Sequence, residues 1–304
     1  MQKNKLKECI REIAVKELID EVRFVDASDL TEEHVGNVSR FKGRQPQDIM
    51  KCAKSVILTS VYIGKFITDT NQDIGRMSRL VLSGYYANIV KPLLPIAELL
   101  KSEGYQAEIM DGESDDESMP LKGAAVKAGL GWIGKNSMLI SKKYGSFQAL
   151  GAIITDADIG EFNEISRNFC GGCNKCIQVC PTKAIENSQI LIRPRCLSDM
   201  LENESVSKEE INGIRLDNYF FECDICQNAC TWNQTHIRAP LDTPYGRLFN
   251  PSEMNKLVSM EWLSALDEAE YNEKLLPIMI GYQLPFKLFK RNIDVVKQNC
   301  NTRV

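Results

Sequence analysis

Histidine and long apolar runs are both scarce in this sequence of 304 residues. Only His34 and His236 occur, and neither stands beside another ligand type at metal-binding spacing. A Ser/His/Asp triad or a histidine-rich metal site is therefore disfavoured, and we expect both histidines to be surface residues. No run is long enough to cross a bilayer, and residues 1–21 contain no apolar signal segment. These absences predict a cytoplasmic protein in a reducing compartment, with no membrane partner.

An excess of positive charge is also absent, because 37 Lys and Arg face 41 Asp and Glu and leave a formal net charge of -4. Broad, sequence-independent binding of nucleic acid relies on many Lys and Arg contacts to phosphate, so it is disfavoured. A local basic face is still compatible with this balance. The length suits two domains, and a hydrophobic content of 43% allows each of them a proper core.

Cysteine, in contrast, is concentrated in one stretch, and residues 169–233 hold eight of the eleven cysteines. The first four have the C-x2-C-x2-C-x3-C-P spacing of bacterial-type ferredoxins, in which three cysteines bind one [4Fe–4S] cluster and the fourth binds the other. The last three have the spacing C-x2-C-x3-C, and one cysteine stands between the groups. Allowing four sulfurs to each cluster gives two interleaved sets, namely Cys170, Cys173, Cys176 and Cys230, and Cys180, Cys196, Cys223 and Cys226.

A zinc ribbon and a disulfide framework are the other uses of such cysteines. Zinc needs only four ligands and gives no reason for the triple spacing followed by Pro181. Disulfides need an oxidising compartment, which nothing in the sequence indicates. We therefore predict two iron–sulfur clusters, and we expect the scattered Cys9, Cys52 and Cys300 to be ordinary thiols.

Apolar periodicity predicts an α+β fold with a distinct part ahead of the cysteines. The continuous apolar run 55–61 is typical of a buried central strand. Further predicted strands cover 22–25, 105–110, 137–141 and 147–155. Predicted helices cover 5–21, 77–90, 92–103, 120–128, 254–268 and 286–298. We expect an N-terminal α/β sandwich-like domain over 1–168, a two-cluster ferredoxin-like domain over 169–235, and a helical C-terminal segment over 236–304 that packs back on the core.

The segment 128–136, Ala-Gly-Leu-Gly-Trp-Ile-Gly-Lys-Asn, is the most unusual one without cysteine. Its three glycines permit tight turns and close approach of the backbone to a large flat group, and the Trp132 ring can line one side of the site for that group. A plain turn between helix and strand is an equally good interpretation. The segment is not a dinucleotide-binding fingerprint, because it follows a predicted helix and enters a predicted strand.

Several motifs together resemble the epoxyqueuosine reductase family, which is related to the reductive dehalogenases. They are Arg44-x-Pro46, the segment 128–136 with Gly145-Ser146 and Leu150-Gly151, the run 170–181, Arg195-Cys196-Leu-Ser198, Cys223–Asn233 and 289–292. The resemblance covers nearly the whole chain. It implies two [4Fe–4S] clusters and a base-off cobalamin, held in a cleft between the glycine-rich segment and Cys176/Cys230. The residues that it implies for cobalamin are Arg44, Trp132, Asn136, Leu139, Leu150 and Ser198.

The resemblance also implies a reaction, the two-electron, two-proton reduction of the epoxide of epoxyqueuosine in the anticodon loop of tRNA. An external low-potential electron donor would be the second partner. The family places an acid in an Asp-x-x-Pro motif, and Glu117-Ser-Met-Pro120 stands there in this chain. The candidate proton donors are Glu117, Asp116 and Tyr86, tyrosine being the donor type of the dehalogenase relatives. A solvated loop is the other interpretation of the acidic stretch 111–117.

Two other functions fit the same residues. One is a related cobalamin and iron–sulfur reductase of a small molecule, which turnover of small substrates against modified tRNA would distinguish. The other is an iron–sulfur electron-transfer protein whose N-terminal domain only docks a partner. Some 165 residues ahead of a ferredoxin-like segment are more than a carrier needs, which favours an enzyme.

Overall fold

A computed structural model describes residues 2–30, 44–71, 73–84, 89–110, 119–187, 189–279 and 284–301. The strands within these ranges are β1 Glu21–Asp26, β2 Ser55–Tyr62, β3 Arg76–Met77, β4 Ala107–Met110, β5 Trp132–Ile133, β6 Leu139–Ile140, β7 Gln148–Thr155, β8 Ile185–Asn187, β9 Ile190–Leu191 and β10 Tyr219–Phe221. The α-helices are Lys3–Lys16, Pro46–Ile49, Arg79–Leu82, Leu94–Ser102, Leu121–Lys127, Lys175–Val179, Leu197–Glu202, Lys208–Ile211, Ile225–Asn228, Thr231–Arg238, Pro251–Leu257, Met260–Ala265, Glu268–Glu270 and Phe286–Asn301. Among these, no helix has both the length and the apolar character to cross a membrane.

The main sheet has four strands in the order β1-β2-β7-β4, and all its pairings are antiparallel. β2 pairs with β7 along its whole length, from Ser55 opposite Thr155 to Tyr62 opposite Gln148. Every residue of β2 and of β7 is buried. A strand covered on both faces needs apolar residues at consecutive positions, so the predicted central strand over 55–61 is confirmed.

Helices cover both faces of this sheet. Ile57 of β2 belongs to an apolar cluster that includes residues of helices Lys3–Lys16 and Leu94–Ser102. Its neighbours Val56 and Leu58 point to the other face and belong to a second cluster with helix Leu121–Lys127. The result is a helix–sheet–helix sandwich, and the predicted α+β fold class with an N-terminal sandwich is confirmed.

The larger apolar cluster continues from the sheet into the C-terminal helices. It includes Leu6 near the start of the chain and Val296 near its end. Phe289 is fully buried there, with its ring 4.7 Å from that of Tyr271 and 6.0 Å from that of Phe220, centroid to centroid. One continuous core therefore contains residues from all three predicted domains. The domain boundaries at residues 168 and 235 stay a prediction.

Replacement of Phe289 by alanine is expected to destabilise the protein by about 3–5 kcal/mol, because it leaves a cavity in the core. The measurement is the urea midpoint followed by circular dichroism. Phe162 is 92% exposed, so Phe162→Ala is the matched control and is expected to leave the midpoint unchanged. Equal midpoints for the two variants would contradict the packing of the C-terminal helix against the core.

Several predicted elements differ from the observed ones. The predicted helix over 77–90 is wrong at its start, because Arg76–Met77 forms β3 beside the distant β10 and the helix covers Arg79–Leu82. The predicted helix over 254–268 is interrupted at Ser259, whose hydroxyl oxygen accepts a hydrogen bond from the Trp262 amide and starts a new helix. The first helix ends at Lys16, and Leu18 adopts a left-handed φ of 61° before β1. Local periodicity contains no signal for a strand partner far along the chain.

Candidate active site

The cysteines of residues 169–233 lie at turns and helix ends of one small region. Cys170 and Cys173 close a turn, in which the Cys173 amide donates to the Cys170 carbonyl at 3.1 Å. The other six stand within or directly beside short helices, namely Cys176 and Cys180, Cys196, Cys223 and Cys226, and Cys230. Helices Lys175–Val179 and Ile225–Asn228 pack together, which brings the two groups of the sequence into contact. All ten cysteines outside position 300 are free thiols.

Electrostatic interactions link the thiols within each predicted set and also between the two sets. Burial raises the pKa of Cys230, and the neighbouring Cys170 and Cys176 raise it further. Burial likewise raises the pKa of Cys226, with Cys196 as its strongest thiol neighbour, followed by Cys176 and then Cys180. Cys223 interacts with Cys226 and Cys196. Cys176 is assigned to the first set and Cys226 to the second, so these neighbours show eight cysteines in one region and do not separate the sets. The assignment of ligands to clusters stays a prediction.

The surroundings of these thiols suit iron–sulfur clusters. A buried thiolate without a partner is unfavourable, which is why burial raises the pKa values, and bound iron supplies the compensating positive charge. Backbone amides also donate to sulfur, from Ala184 to Cys180 Sγ at 3.3 Å and from Ile225 to Cys223 Sγ at 3.4 Å. Burial opposes ionisation of Cys180 too, but hydrogen bonds from the Thr182 hydroxyl and from the backbone amides of residues 182, 184 and 185 outweigh it and lower the pKa of Cys180. Hydrogen bonds to sulfur are among the factors that set cluster potentials.

A single metal ion is a poorer fit to the same region. Within the described ranges, no three His, Cys, Asp or Glu side chains lie close enough together to hold one ion. The four cysteines of a cubane bind four different iron atoms and are farther apart than the ligands of one ion, so the finding does not apply to them.

The glycine-rich segment forms a hairpin, β5 and β6, against the cysteine region. A Cβ atom at Gly131 would lie 2.1 Å from the Ile140 carbonyl oxygen, so the close approach of the two arms requires glycine there. Side-chain amides of Asn168 and Gln189 both donate to the Ile133 carbonyl, at 3.0 and 2.8 Å. The hairpin is thereby tied to the cysteine region at two points.

Trp132 at the base of this hairpin is buried in an aromatic cluster. Its ring meets Phe169 and Trp232 edge to face, at centroid distances of 5.1 and 5.0 Å. Phe169 directly precedes Cys170, and Trp232 follows Cys230 by two residues. A cavity of about 640 Å³ opens beside this cluster and is lined by the stretch 129–132 and Phe169, but none of its described lining residues is a cysteine. A cleft that reaches Cys176 and Cys230 therefore stays a prediction.

Two polar atoms of the hairpin are buried without a hydrogen-bond partner, Trp132 Nε1 and Asn136 Nδ2. Buried donors are normally satisfied, and unsatisfied ones call for an explanation such as a missing ligand. The amide side chains around a corrin ring carry carbonyl acceptors, so both donors fit the predicted cobalamin. This is the structural observation that supports their assignment.

The other residues predicted to contact cobalamin are only partly brought together. Leu139 and Leu150 share the apolar cluster beneath the hairpin. Ser198 lies in helix Leu197–Glu202 and donates from Oγ to Glu202 Oε1 at 3.2 Å, while Arg44 is partly buried ahead of helix Pro46–Ile49. The predicted proton donors Glu117, Asp116 and Tyr86, together with His34, lie outside the described residues.

His236 was predicted to be a surface residue, and that prediction is wrong. The residue is 7% exposed, with its ring edge on Tyr62 at 5.7 Å, and burial lowers its pKa. It lies on helix Thr231–Arg238, whose inward face continues the packing around Asn233. Periodicity over this short helix was too weak to show which face is buried.

A buried ion pair that sequence analysis missed joins the N-terminal sandwich to the cysteine region. Arg79 Nη1 lies 3.2 Å from Asp224 Oδ2, and the two side chains are 3% and 2% exposed. The Arg79 amide donates to the same oxygen at 2.8 Å, and the guanidinium also lies over the Phe147 ring. The position of Asp224 between Cys223 and Cys226 could be seen in the sequence. Its partner, 145 residues away in the chain, was not visible.

A second connection explains two motifs of the sequence. The Ser146 amide donates to Asn233 Oδ1 at 2.7 Å, and Asn233 Nδ2 donates to Ser146 Oγ at 2.8 Å. Gly145 has a φ of 61°, and a Cβ atom there would collide with the Asn233 side chain. Through these contacts, Gly145 and Ser146 of the N-terminal part pack against the helix that follows Cys230.

Comparisons with known proteins agree with this architecture. Residues 169–233 match the family described as the 4Fe-4S double cluster binding domain. An epoxyqueuosine reductase of Prochlorococcus marinus (strain NATL2A) is 33% identical over 215 residues, which are 70% of this chain and 67% of that protein. The chain belongs to the epoxyqueuosine reductase family. As a member of this family, it is an iron–sulfur oxidoreductase.

Two solved structures have the same fold as this member of the epoxyqueuosine reductase family. A crystal structure of epoxyqueuosine reductase with a tRNA-Tyr epoxyqueuosine-modified tRNA stem loop superimposes with a TM-score of 0.75 at 20% identity, over 98% of this chain and 82% of that one. A reductive dehalogenase, whose structure was used to suggest a mechanism for B12-dependent dehalogenation, gives a TM-score of 0.53 at 15% identity, over 94% of this chain and 37% of that one. The predicted relation to reductive dehalogenases is confirmed at the level of the fold.

Proposed function

We propose that this chain reduces the epoxide of epoxyqueuosine in the anticodon loop of tRNA to the alkene of queuosine, with two [4Fe–4S] clusters and cobalamin as cofactors. The observation that carries the proposal is the match of residues 169–233 to the 4Fe-4S double cluster binding domain, beside a helix–sheet–helix sandwich, in a chain of this family. The modified stem loop bound by one structural neighbour supports tRNA as substrate, and the B12-dependent chemistry of another supports cobalamin.

The residues of the chain have separate tasks in this proposal. Removal of the epoxide oxygen as water consumes two electrons and two protons. Cobalamin supplies a strongly reducing metal centre when it is bound. The eight cysteines would hold the clusters. Trp132 and Asn136 would donate hydrogen bonds to the corrin amides, and the other residues predicted for cobalamin would line the rest of its site.

A proton must also reach the epoxide oxygen as the carbon–oxygen bond breaks. A carboxyl or phenol group within hydrogen-bond reach of that oxygen can supply it, and a dry pocket raises the pKa of a carboxyl toward neutrality. Glu117, Asp116 and Tyr86 remain the candidates. We also place the protein in the cytoplasm, because cluster thiols survive in a reducing compartment.

The test of this function is anaerobic purification followed by turnover. We expect a brown protein that binds cobalamin with the absorption spectrum of the base-off form and that reduces epoxyqueuosine in a tRNA stem loop. Free epoxidised or halogenated small molecules are the competing substrates in the same assay. A protein that binds no cobalamin, or that reduces only the small molecules, would overturn the proposal.

A further inference from the structure

Arg291 and Asn292 are neighbouring polar residues of helix Phe286–Asn301, and the proposed function gives them no role. Asn292 is fully buried and Arg291 is partly buried. A buried side-chain amide needs partners for its oxygen and for both of its N–H groups. Asn292 has all three, because Oδ1 accepts from Arg291 Nε at 3.0 Å and Nδ2 donates to two backbone carbonyls from other parts of the chain. These bonds connect the C-terminal helix to specific points of the backbone.

The two carbonyls that Asn292 binds belong to the elements that present Cys196 and Cys223. Nδ2 lies 2.9 Å from the Leu201 oxygen and 2.9 Å from the Phe220 oxygen. Leu201 lies in a six-residue helix whose N-cap residue is Cys196. Phe220 is the middle residue of strand β10, which ends two residues before Cys223. One amide group therefore connects the supports of two cysteines that we assign to the same cluster.

The Arg291 guanidinium binds the other end of the helix that begins after Cys196. Its two Nη groups donate to four backbone carbonyls at and beyond the C-terminal end of that helix, namely those of Met200, Leu201, Asn203 and Val206. With the bond from Nε to Asn292, all five N–H donors of the guanidinium are used. The last carbonyls of a helix have no partner within the helix, so Arg291 completes this helix end with a side chain from the last helix of the chain.

Cys196 is the cysteine whose position depends most on such contacts. It lies 16 residues after Cys180 and 27 residues before Cys223, whereas each of the other seven cysteines in residues 169–233 has another one within four positions. A helix of six residues is not stable on its own, so contacts from outside it must set its place. Groups that hold a ligand in place affect metal binding almost as strongly as the ligands themselves.

We propose that Arg291 and Asn292 are positioning residues for one [4Fe–4S] cluster, and that they hold Cys196 in the place relative to Cys223 that this cluster requires. The inference rests on the two clusters of the proposed function, and it adds a part of the chain outside residues 169–233 that one of them needs. All cysteines of the other predicted set belong to the two runs, so the other cluster should not depend on these two residues.

The experiment compares Asn292→Ala with Asn299→Ala in the full chain. Asn299 is the matched control, because it lies on the same helix and its Nδ2 donates to the Ile214 carbonyl at 2.8 Å, outside the elements that carry cysteine. Each anaerobic protein is reduced with dithionite, and the paramagnetic resonance of both clusters is followed while a chelator removes iron. Cys196→Ala identifies the signal of its own cluster. We expect Asn292→Ala to lose that cluster at least about tenfold faster than the parent and to keep the other cluster, and Asn299→Ala to behave as the parent.

Arg291→Lys is the second variant, and it decides the outcome if alanine at position 292 prevents folding. Lysine keeps the charge and most of the side-chain length but has three donors in place of five, so the same cluster should be lost selectively while the circular dichroism spectrum is unchanged.

A purely structural role of the two residues predicts a different result, namely a lower urea midpoint with both clusters lost together. That result would overturn the proposal. So would unchanged clusters in both variants, or a loss of the Cys196 cluster that is as fast in Asn299→Ala as in Asn292→Ala. A parent protein that holds both clusters and a variant that loses one selectively would uphold the proposal even if the parent leaves the tRNA epoxide intact, which would remove only the proposed function.

Discussion

Replacement of Cys226 by alanine is expected to remove one of two clusters and to abolish epoxide reduction. The iron content should fall from about eight to about four atoms per chain, because each cubane holds four. The loss of activity should be complete, because a single remaining cluster cannot relay electrons along the chain. Iron analysis and electron paramagnetic resonance of the reduced protein are the measurements.

Because each predicted cluster takes cysteines from both runs, the assignment also predicts which single variants should share a residual spectrum. Cys180→Ala should leave the same residual resonance spectrum as Cys226→Ala, although Cys180 stands in the first cysteine run. Cys230→Ala should leave the other spectrum, although Cys230 stands in the last run. Cys52→Ala is the control, since Cys52 is exposed and remote in sequence, and it should keep all its iron. Spectra that group Cys180 with Cys176 and Cys173 would contradict the assignment.

Replacement of Arg79 by methionine is expected to destabilise the protein by about 3–5 kcal/mol, since it leaves the Asp224 carboxylate buried without its partner. Methionine keeps the side-chain length and packing against Phe147, so most of the loss reflects the unpaired charge. Asp224 lies inside the cysteine loop, and the variant should therefore also release iron more readily. Urea unfolding, followed by both circular dichroism and cluster absorbance, measures the two effects together.

An exposed ion pair provides the matched control for Arg79. Arg247 Nη2 lies 2.7 Å from Asp242 Oδ2, but both side chains are more than half exposed. Arg247→Met should not change the midpoint, because solvent screens such pairs. The double variant Arg79→Met with Asp224→Asn should recover part of the stability by removing the stranded charge. A double variant no better than the single one would show that the guanidinium acts through its other hydrogen bonds, to Gly64 and Asn228.

Local sequence patterns predicted the fold class, because a helical or strand pattern depends only on residues that are close together in the chain. The continuous apolar run of β2 identified a central strand, and the residues of helix Leu94–Ser102 and of helix Leu121–Lys127 identified helices on its two sides. The patterns failed at β3, at the interruption at Ser259 and at His236. Each of these is decided by a partner from another part of the chain: β10 pairs with β3, Ile74 forms a β-bridge with Ser259, and Tyr62 packs against His236.

The sequence by itself determined the cofactor class, because the spacing of eight cysteines is covalent information that survives in the unfolded chain. It also determined the family, through short motifs that remain recognisable at about 30% identity. Only the tertiary structure decided that Arg79 pairs with Asp224, that Trp132 packs on Trp232, and that Cys173 is exposed while Cys180 is buried. Contacts of this kind join residues far apart in sequence, and their energies exist only after the chain has folded and excluded water around them.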